Sequence, residues 1–290
     1  MAKKLSLVLG GGGARGYVHL GVLKVLEENG IVPDFIIGTS MGSLVGACYA
    51  TGMTASDLIE RAKLIRRRDL ANVDMLGIFR KSMFLGKKID SFLYKLFGET
   101  EAEKTKIPCA CVASSLDTGK TYILEKGPLW KNVRASISVP ICFPEVEIDG
   151  IMMCDGGCTN NLPDDVARNR DPENIILSVD CMCPYVPYET KFEMLRKIID
   201  INNILQYAVS INKPHYDDIR VNAASGINNF MFEKVSVNKA VRIGQREMKK
   251  NLPALAKLLG IRLPKKEKNS TKKSESNTTK TEKTNTKKEN

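Results

Sequence analysis

Phe35-Ile36-Ile37-Gly38-Thr39-Ser40-Met41-Gly42-Ser43-Leu44-Val45-Gly46-Ala47-Cys48-Tyr49-Ala50 is the stretch on which the fold turns. Phe35 to Gly38 is a short apolar run that reads as a buried strand, and Met41 to Ala50 reads as a helix of small and apolar residues. Between them stands Gly-x-Ser-x-Gly, with Ser40 at its centre and Gly38 and Gly42 at its ends. A serine held at a sharp strand-to-helix turn sits at the rim of a sheet, and the flanking glycines let strand and helix pass without collision. Ser40 is thus the candidate nucleophile. The plainer alternative makes it only the cap of the helix.

Upstream, Leu5 to Leu9 is a second glycine-bounded apolar run, again a buried strand. The helix after it is expected from about Arg15 to Asn29, with Val18, Val22, Val25 and Leu26 on one face and Gly30 as its stop. Strand, helix, strand, helix within the first 50 residues predicts a right-handed βαβ unit in a parallel sheet. The connecting loop, Gly10-Gly11-Gly12-Gly13-Ala14-Arg15-Gly16, contains Gly-x-Gly-x-x-Gly. A dinucleotide site would need an acid at the end of the second strand, whereas Asp34 precedes that strand. A Walker loop would need Gly-Lys-Ser or Gly-Lys-Thr, which is missing. The loop does offer the backbone N–H groups of Gly11, Gly12, Gly13 and Ala14 at the positive end of a helix. Such a row suits a fixed anion or an oxyanion that forms during reaction. A regulatory module that holds a phosphate or nucleotide there is the alternative, and simple close packing of helix on sheet is a third reading.

A serine hydroxyl needs a base. His19 lies in the first helix and His215 in Lys213-Pro214-His215-Tyr216-Asp217. A Ser-Asp-His order would require His215 to reach Ser40, and its neighbours suggest a surface turn instead. A carboxylate can serve if its surroundings raise its basicity. Asp155, in Cys154-Asp155-Gly156-Gly157-Cys158, follows the strand Ile151 to Met153, and Gly156 and Gly157 behind it let the chain turn with the carboxylate at the sheet rim. Asp-Gly is also an ordinary turn. Ile107 to Ala113 and Thr121 to Leu124 are expected to pair. Val146 to Ile148 and Ile151 to Met153 should form a hairpin about Asp149-Gly150, and Asn174 to Val179 another buried strand. The remainder of the folded chain reads as mostly helical.

Composition bounds the rest. The 290 residues suffice for one large α/β domain, expected over 1–264 with a mainly helical part at 186–264. Residues 265–290 hold nine lysines and four glutamates but no apolar side chain, so a disordered tail is expected, carrying +5 of the formal +11. The tail's lysines alternate with hydroxyls rather than aromatics, so no nucleic-acid partner is expected, while an anionic membrane surface could attract them. Eight cysteines without Cys-x-x-Cys read as reduced core thiols of a cytoplasmic protein. No run is long enough for a signal peptide or a transmembrane helix. Ser56 to Arg68 reads as an amphipathic helix with Arg61, Lys63, Arg66, Arg67 and Arg68 outward, and Met75 to Lys88 as either a packed loop or a lid that docks on membrane.

Taken as a set, Gly11-Gly12-Gly13-Ala14-Arg15-Gly16, Gly38-Thr39-Ser40-Met41-Gly42 and Asp155-Gly156-Gly157 resemble the patatin-like phospholipase family, and its compact microbial members most. Ala135-Ser136-Ile137-Ser138-Val139-Pro140-Ile141-Cys142-Phe143-Pro144 and Cys158-Thr159-Asn160-Asn161-Leu162-Pro163 extend the likeness, which runs from about residue 5 to 185. The resemblance implies a three-layer α/β/α sandwich with a mostly parallel sheet, no metal, no cofactor, and hydrolysis of lipid acyl esters without histidine. It makes Ser40 the nucleophile, Asp155 the base, Gly11 to Ala14 the oxyanion hole, and Arg15 a residue that steadies the loop or an anionic head group.

Overall fold

A computed structural model describes residues 3–64, 86–182, 193–223 and 236–264. Arg66 to Arg68, most of the Met75 to Lys88 stretch, Cys183 and the tail from 265 lie outside the described residues.

The glycine-bounded apolar runs are the centre of an eight-stranded sheet. In chain order its strands are β1 (Leu5–Leu9), β2 (Phe35–Thr39), β3 (Cys109–Ser115), β4 (Thr121–Leu124), β5 (Val146–Ile148), β6 (Ile151–Asp155), β7 (Ile175–Asp180) and β8 (Ile219–Asn222). β1 lies between β2 and β7, with β3 beyond β2 and β8 beyond β7, and these five strands run parallel. The other three are antiparallel additions. Asp149 and Gly150 both take positive φ, 52° and 78°, the geometry of the tight turn expected between β5 and β6.

Both faces of the parallel strands are buried, and their side chains divide with period two. Leu5, Leu7, Leu9, Ile36, Cys109, Cys111, Ile175, Leu177 and Val179 join the larger core, while Val8, Phe35, Ile37, Ala110, Val112 and Ile176 join the smaller one. The helices are α1 (Val18–Glu28), α2 (Met41–Ala50), α3 (Ala55–Leu64), α4 (Gly86–Phe97), α5 (Leu129–Ser136), α6 (Asp164–Arg170), α7 (Glu193–Asn212) and α8 (Val237–Leu259). The larger core takes side chains from α1 to α5 and from α8, and the smaller one is closed by Leu162 and by Val166 and Ala167 of α6. The expected α/β/α layering is present, with unequal layers. The loop after β1 winds as a short 3-10 turn, Gly13–Tyr17, before α1 begins, so the regular helix starts later than the sequence suggested. The seven described cysteines are not disulfide-bonded, and six are buried.

One detail of register builds the site. Val112 of β3 pairs with Thr39 and also with Ile123, while Ala113 pairs with Asp155 and also with Tyr122. A strand residue has two edges, so β4 takes one edge of β3 and β2 and β6 share the other. β2 arrives parallel to β3 and ends at Val112, while β6 arrives antiparallel and ends at Ala113. Their carboxyl ends therefore meet head to head.

Among the described residues, no helix is long and apolar enough to cross a membrane.

Candidate active site

At that junction Ser40 takes φ 54° and ψ −123°, a conformation unfavourable for any residue with a side chain. The surroundings enforce it. A Cβ on Gly38 would lie 2.4 Å from the Gly42 carbonyl, and one on Gly42 would lie 2.0 Å from the Leu9 carbonyl oxygen, so only glycine lets α2 leave the strand this steeply. Ser136 repairs the ladder where β2 departs. Its hydroxyl accepts from Ser40 N at 3.0 Å and donates to the Val112 carbonyl at 2.6 Å, standing between two backbone groups that would otherwise pair directly.

Asp155 faces Ser40 from the end of β6. Ser40 Oγ donates to Asp155 Oδ2 at 2.6 Å, and Gly157 N donates to Asp155 Oδ1 at 2.7 Å. The carboxylate is 1% exposed, and burial pushes its pKa up to about 6, against the opposing pull of the bonds from Ser40 and Gly157. A carboxylate so raised can take up a proton near neutrality, which an ordinary surface carboxylate does not. Gly156 is required by contact, since a Cβ there would lie 2.3 Å from the Val112 carbonyl oxygen.

The glycine loop closes the third side. Gly11 packs against Ser40, a Cβ on it falling 3.2 Å from Ser40 Cβ and 2.4 Å from Asn161 Oδ1. Gly11 N donates to the Asn161 carbonyl at 3.1 Å, and Asn161 Nδ2 reaches the Gly11 carbonyl at 3.4 Å, so Asn161 grips both sides of this residue. Arg15 N donates back to the Gly12 carbonyl at 3.2 Å. The N–H groups of Gly12, Gly13 and Ala14 find no acceptor among the described residues, and they open the helical turn that leads into α1. Arg15 is buried and curls over its own loop, Nε donating to the Gly12 carbonyl at 3.2 Å, which suits a brace.

Three residues to which the sequence reading gave no role hold these parts. Asn161 and Ser136 are two. The third is His19, fully buried, whose Nε2–H donates to the Gly10 carbonyl at 2.9 Å, while burial lowers its pKa to about 4. It is neutral at ordinary pH and anchors the root of the loop. Thr39 Oγ1 donates to the Asn160 carbonyl at 2.9 Å, and Asp164 forms ion pairs with Lys213 and Arg220, each at 3.0 Å, so the segment that carries Asn161 is pinned at both ends. His215 is exposed, with Arg220 Nη1 donating to its Nε2 at 3.1 Å, and takes no part in the cluster. Asp34 accepts from Leu5 N at 2.8 Å at the amino end of the strands, away from the glycine loop, which weighs against a dinucleotide site.

Comparison with known proteins identifies the family. The chain is 36% identical over 180 residues to the mouse Patatin-like phospholipase domain-containing protein 6, covering 59% of this chain and 13% of that one. It is 38% identical over 162 residues to Lysophospholipase NTE1 of Candida glabrata, covering 55% of this chain and 9% of that one. The chain therefore spans a small part of the length of these relatives. The solved structure of VipD from Legionella pneumophila overlays with a TM-score of 0.47 and 14% identity, covering 87% of this chain and 67% of that one. The family model for Patatin-like phospholipase matches residues 7–168, which run from β1 through Ser40 and Asp155 into α6, and with more than half of its length so accounted for the chain belongs to the patatin-like phospholipase family.

Proposed function

We propose that the chain is a carboxylic ester hydrolase acting on lipid esters, phospholipids or lysophospholipids, with Ser40 as nucleophile and Asp155 as its base. The observation that carries this reading is the 2.6 Å hydrogen bond from Ser40 Oγ to a buried carboxylate with a raised pKa. The names of the relatives, a phospholipase and a lysophospholipase, support the substrate class. In the acylation step Asp155 takes the proton of Ser40 Oγ, which attacks the ester carbonyl carbon. The N–H groups of Gly12, Gly13 and Ala14 receive the oxyanion, while Gly11, its own N–H committed to Asn161, fixes the spacing. The tetrahedral species collapses, and the departing alcohol takes the proton from Asp155. Water then attacks the acyl-enzyme, giving its proton to Asp155, which returns it to Ser40 as the fatty acid leaves. Each oxyanion donor in such a site contributes on the order of 3 kcal/mol to the barrier reduction.

Ser40→Ala is expected to abolish turnover of p-nitrophenyl butyrate and covalent labelling by a fluorophosphonate probe. Labelling that persists in that variant would place the nucleophile elsewhere.

A further inference from the structure

Helix α7 is inside out. A surface helix ordinarily buries its apolar stripe and exposes its polar one. Among its described side chains, Asp200, Asn203, Gln206 and Ser210 are the buried ones, between 5% and 9% exposed. Ile201, Ile204, Leu205 and Ile211 are 44% to 60% exposed. At 3.6 residues per turn the exposed set occupies an arc of about 120° opposite the buried polar set. The inner face rests on the reaction centre, for a Cβ on Gly157 would come within 2.9 Å of Gln206 Cδ and Nε2. Gly157 is the residue whose N–H holds Asp155.

We infer that the outer face of α7 docks on a lipid bilayer surface and sets the Ser40 site against it. Three observations favour lipid over a protein partner. From Ile198 to Asn212 the only charged residue is Asp200, and it is turned inward. The exposed Lys197 stands one turn before Ile201 in the same row, at the end of the stripe, and the chain as a whole carries a net +11, which draws it toward a surface of anionic phosphates over an apolar interior. Four half-exposed side chains amount to roughly a few hundred Å², the scale of a functional patch on a monomer, and well short of the roughly 800 Å² per partner of a stable protein interface. The inference rests on the proposed lipid substrate, because it gives the site a reason to stand at a membrane. It also differs from the docking stretch suggested by the sequence at Met75 to Lys88.

The test is flotation of the full chain with phosphatidylcholine vesicles containing phosphatidylserine, comparing wild type, Ser40→Ala and the double variant Ile201→Ser with Leu205→Ser. Wild type and Ser40→Ala should float alike, and the double variant should bind at least about tenfold more weakly, since two large side chains no longer enter the bilayer. Its turnover of vesicle-borne phospholipid should fall in the same proportion relative to turnover of water-soluble p-nitrophenyl butyrate. The substituted side chains are exposed, so the melting temperature should hold. Undiminished flotation of the double variant, or a wild type that hydrolyses soluble ester but does not float, would overturn the inference. So would gel filtration in which the wild type elutes as a dimer and the double variant as a monomer, which would make the stripe an interface between copies. A wild type that floats but cleaves no ester would support docking while removing the hydrolase reading.

Discussion

Asp155 carries its charge at a cost, and that cost is measurable in two ways. Its pKa is pushed up to about 6 because the folded chain removes the carboxylate from water. If Asp155 is the proposed base, it is generated as pH rises through about 6, and kcat/KM for a neutral ester should climb over that interval with a single ionisation; a profile flat across it would exclude Asp155 as the base. Stability runs in the opposite sense. A carboxyl whose pKa is raised on folding favours the folded state below its unfolded value, near 3.9, and loses that advantage as pH passes its folded value. Above neutrality the buried charge costs on the order of 3 kcal/mol, at about 1.4 kcal/mol for each pH unit that separates the folded value from the unfolded one. Asp155→Asn should therefore abolish turnover yet raise the melting temperature by several degrees near pH 8, a gain that disappears on acidification. A variant less stable than wild type near pH 8 would mean that the carboxylate is held by more than it loses. Ser40, Asp155 and their glycines were legible in the sequence because a sharp turn demands particular residue types next to one another. Ser136 and Asn161 were not, because their partners Ser40 and Gly11 stand 96 and 150 residues away and nothing local marks a serine at the end of a helix or an asparagine in a loop. The neutral role of His19 likewise depends on burial, which no spacing reveals.

The elements explain why the donor loop stays in place. Its N–H groups open the turn into α1, so the seating of α1 determines where they point. α1 crosses α8 at two glycines, where a Cβ on Gly21 would lie 2.1 Å from the Val241 carbonyl oxygen and one on Gly244 would lie 2.0 Å from the Val18 carbonyl oxygen. These obstructions are backbone and cannot rotate away. Gly21→Ala should therefore push the helices apart, costing on the order of 3 kcal/mol in urea unfolding and lowering kcat more than it raises KM, because it moves the proposed oxyanion donors. Wild-type stability in that variant would show that the helices slide without loss. Sequence pattern served well for β1 and β2, whose apolar runs end at glycines, and for the β5–β6 hairpin with its Asp-Gly turn. It missed β8, where Ile219 and Val221 are buried and Arg220 and Asn222 intervene, four residues within a part read as helical. It also passed over α5 and α6, eight and seven residues long, too short for a helical period to stand out.

For the whole molecule, the packing runs past the boundary of the motifs. The family model ends at 168, and the recognisable likeness at about 185, yet β7 is paired on its far side by β8 and α1 is covered by α8. α8 alone buries Val241, Ile243, Met248, Leu252, Leu255 and Leu259. At roughly 1.5–3 kcal/mol for each such side chain, its contribution rivals the 5–15 kcal/mol net stability of a typical domain. A chain ended after Tyr185 keeps Ser40, Asp155 and the glycine loop, and exposes the outer side of α1 and one edge of β7. It should lack a cooperative urea transition and should not react with a fluorophosphonate. A chain ended after Pro264 loses only a segment without apolar residues, together with +5 of charge, and should melt with the full chain and turn over soluble ester equally well. The pair of truncations tests where stability resides. If the shorter one unfolds cooperatively and labels at Ser40, then α7, β8 and α8 are accessories and the site is held by the sheet from β1 to β7 alone; if it does not, these carboxyl-terminal elements, which carry none of the three motifs, are as necessary to the proposed site as the residues assigned to the reaction.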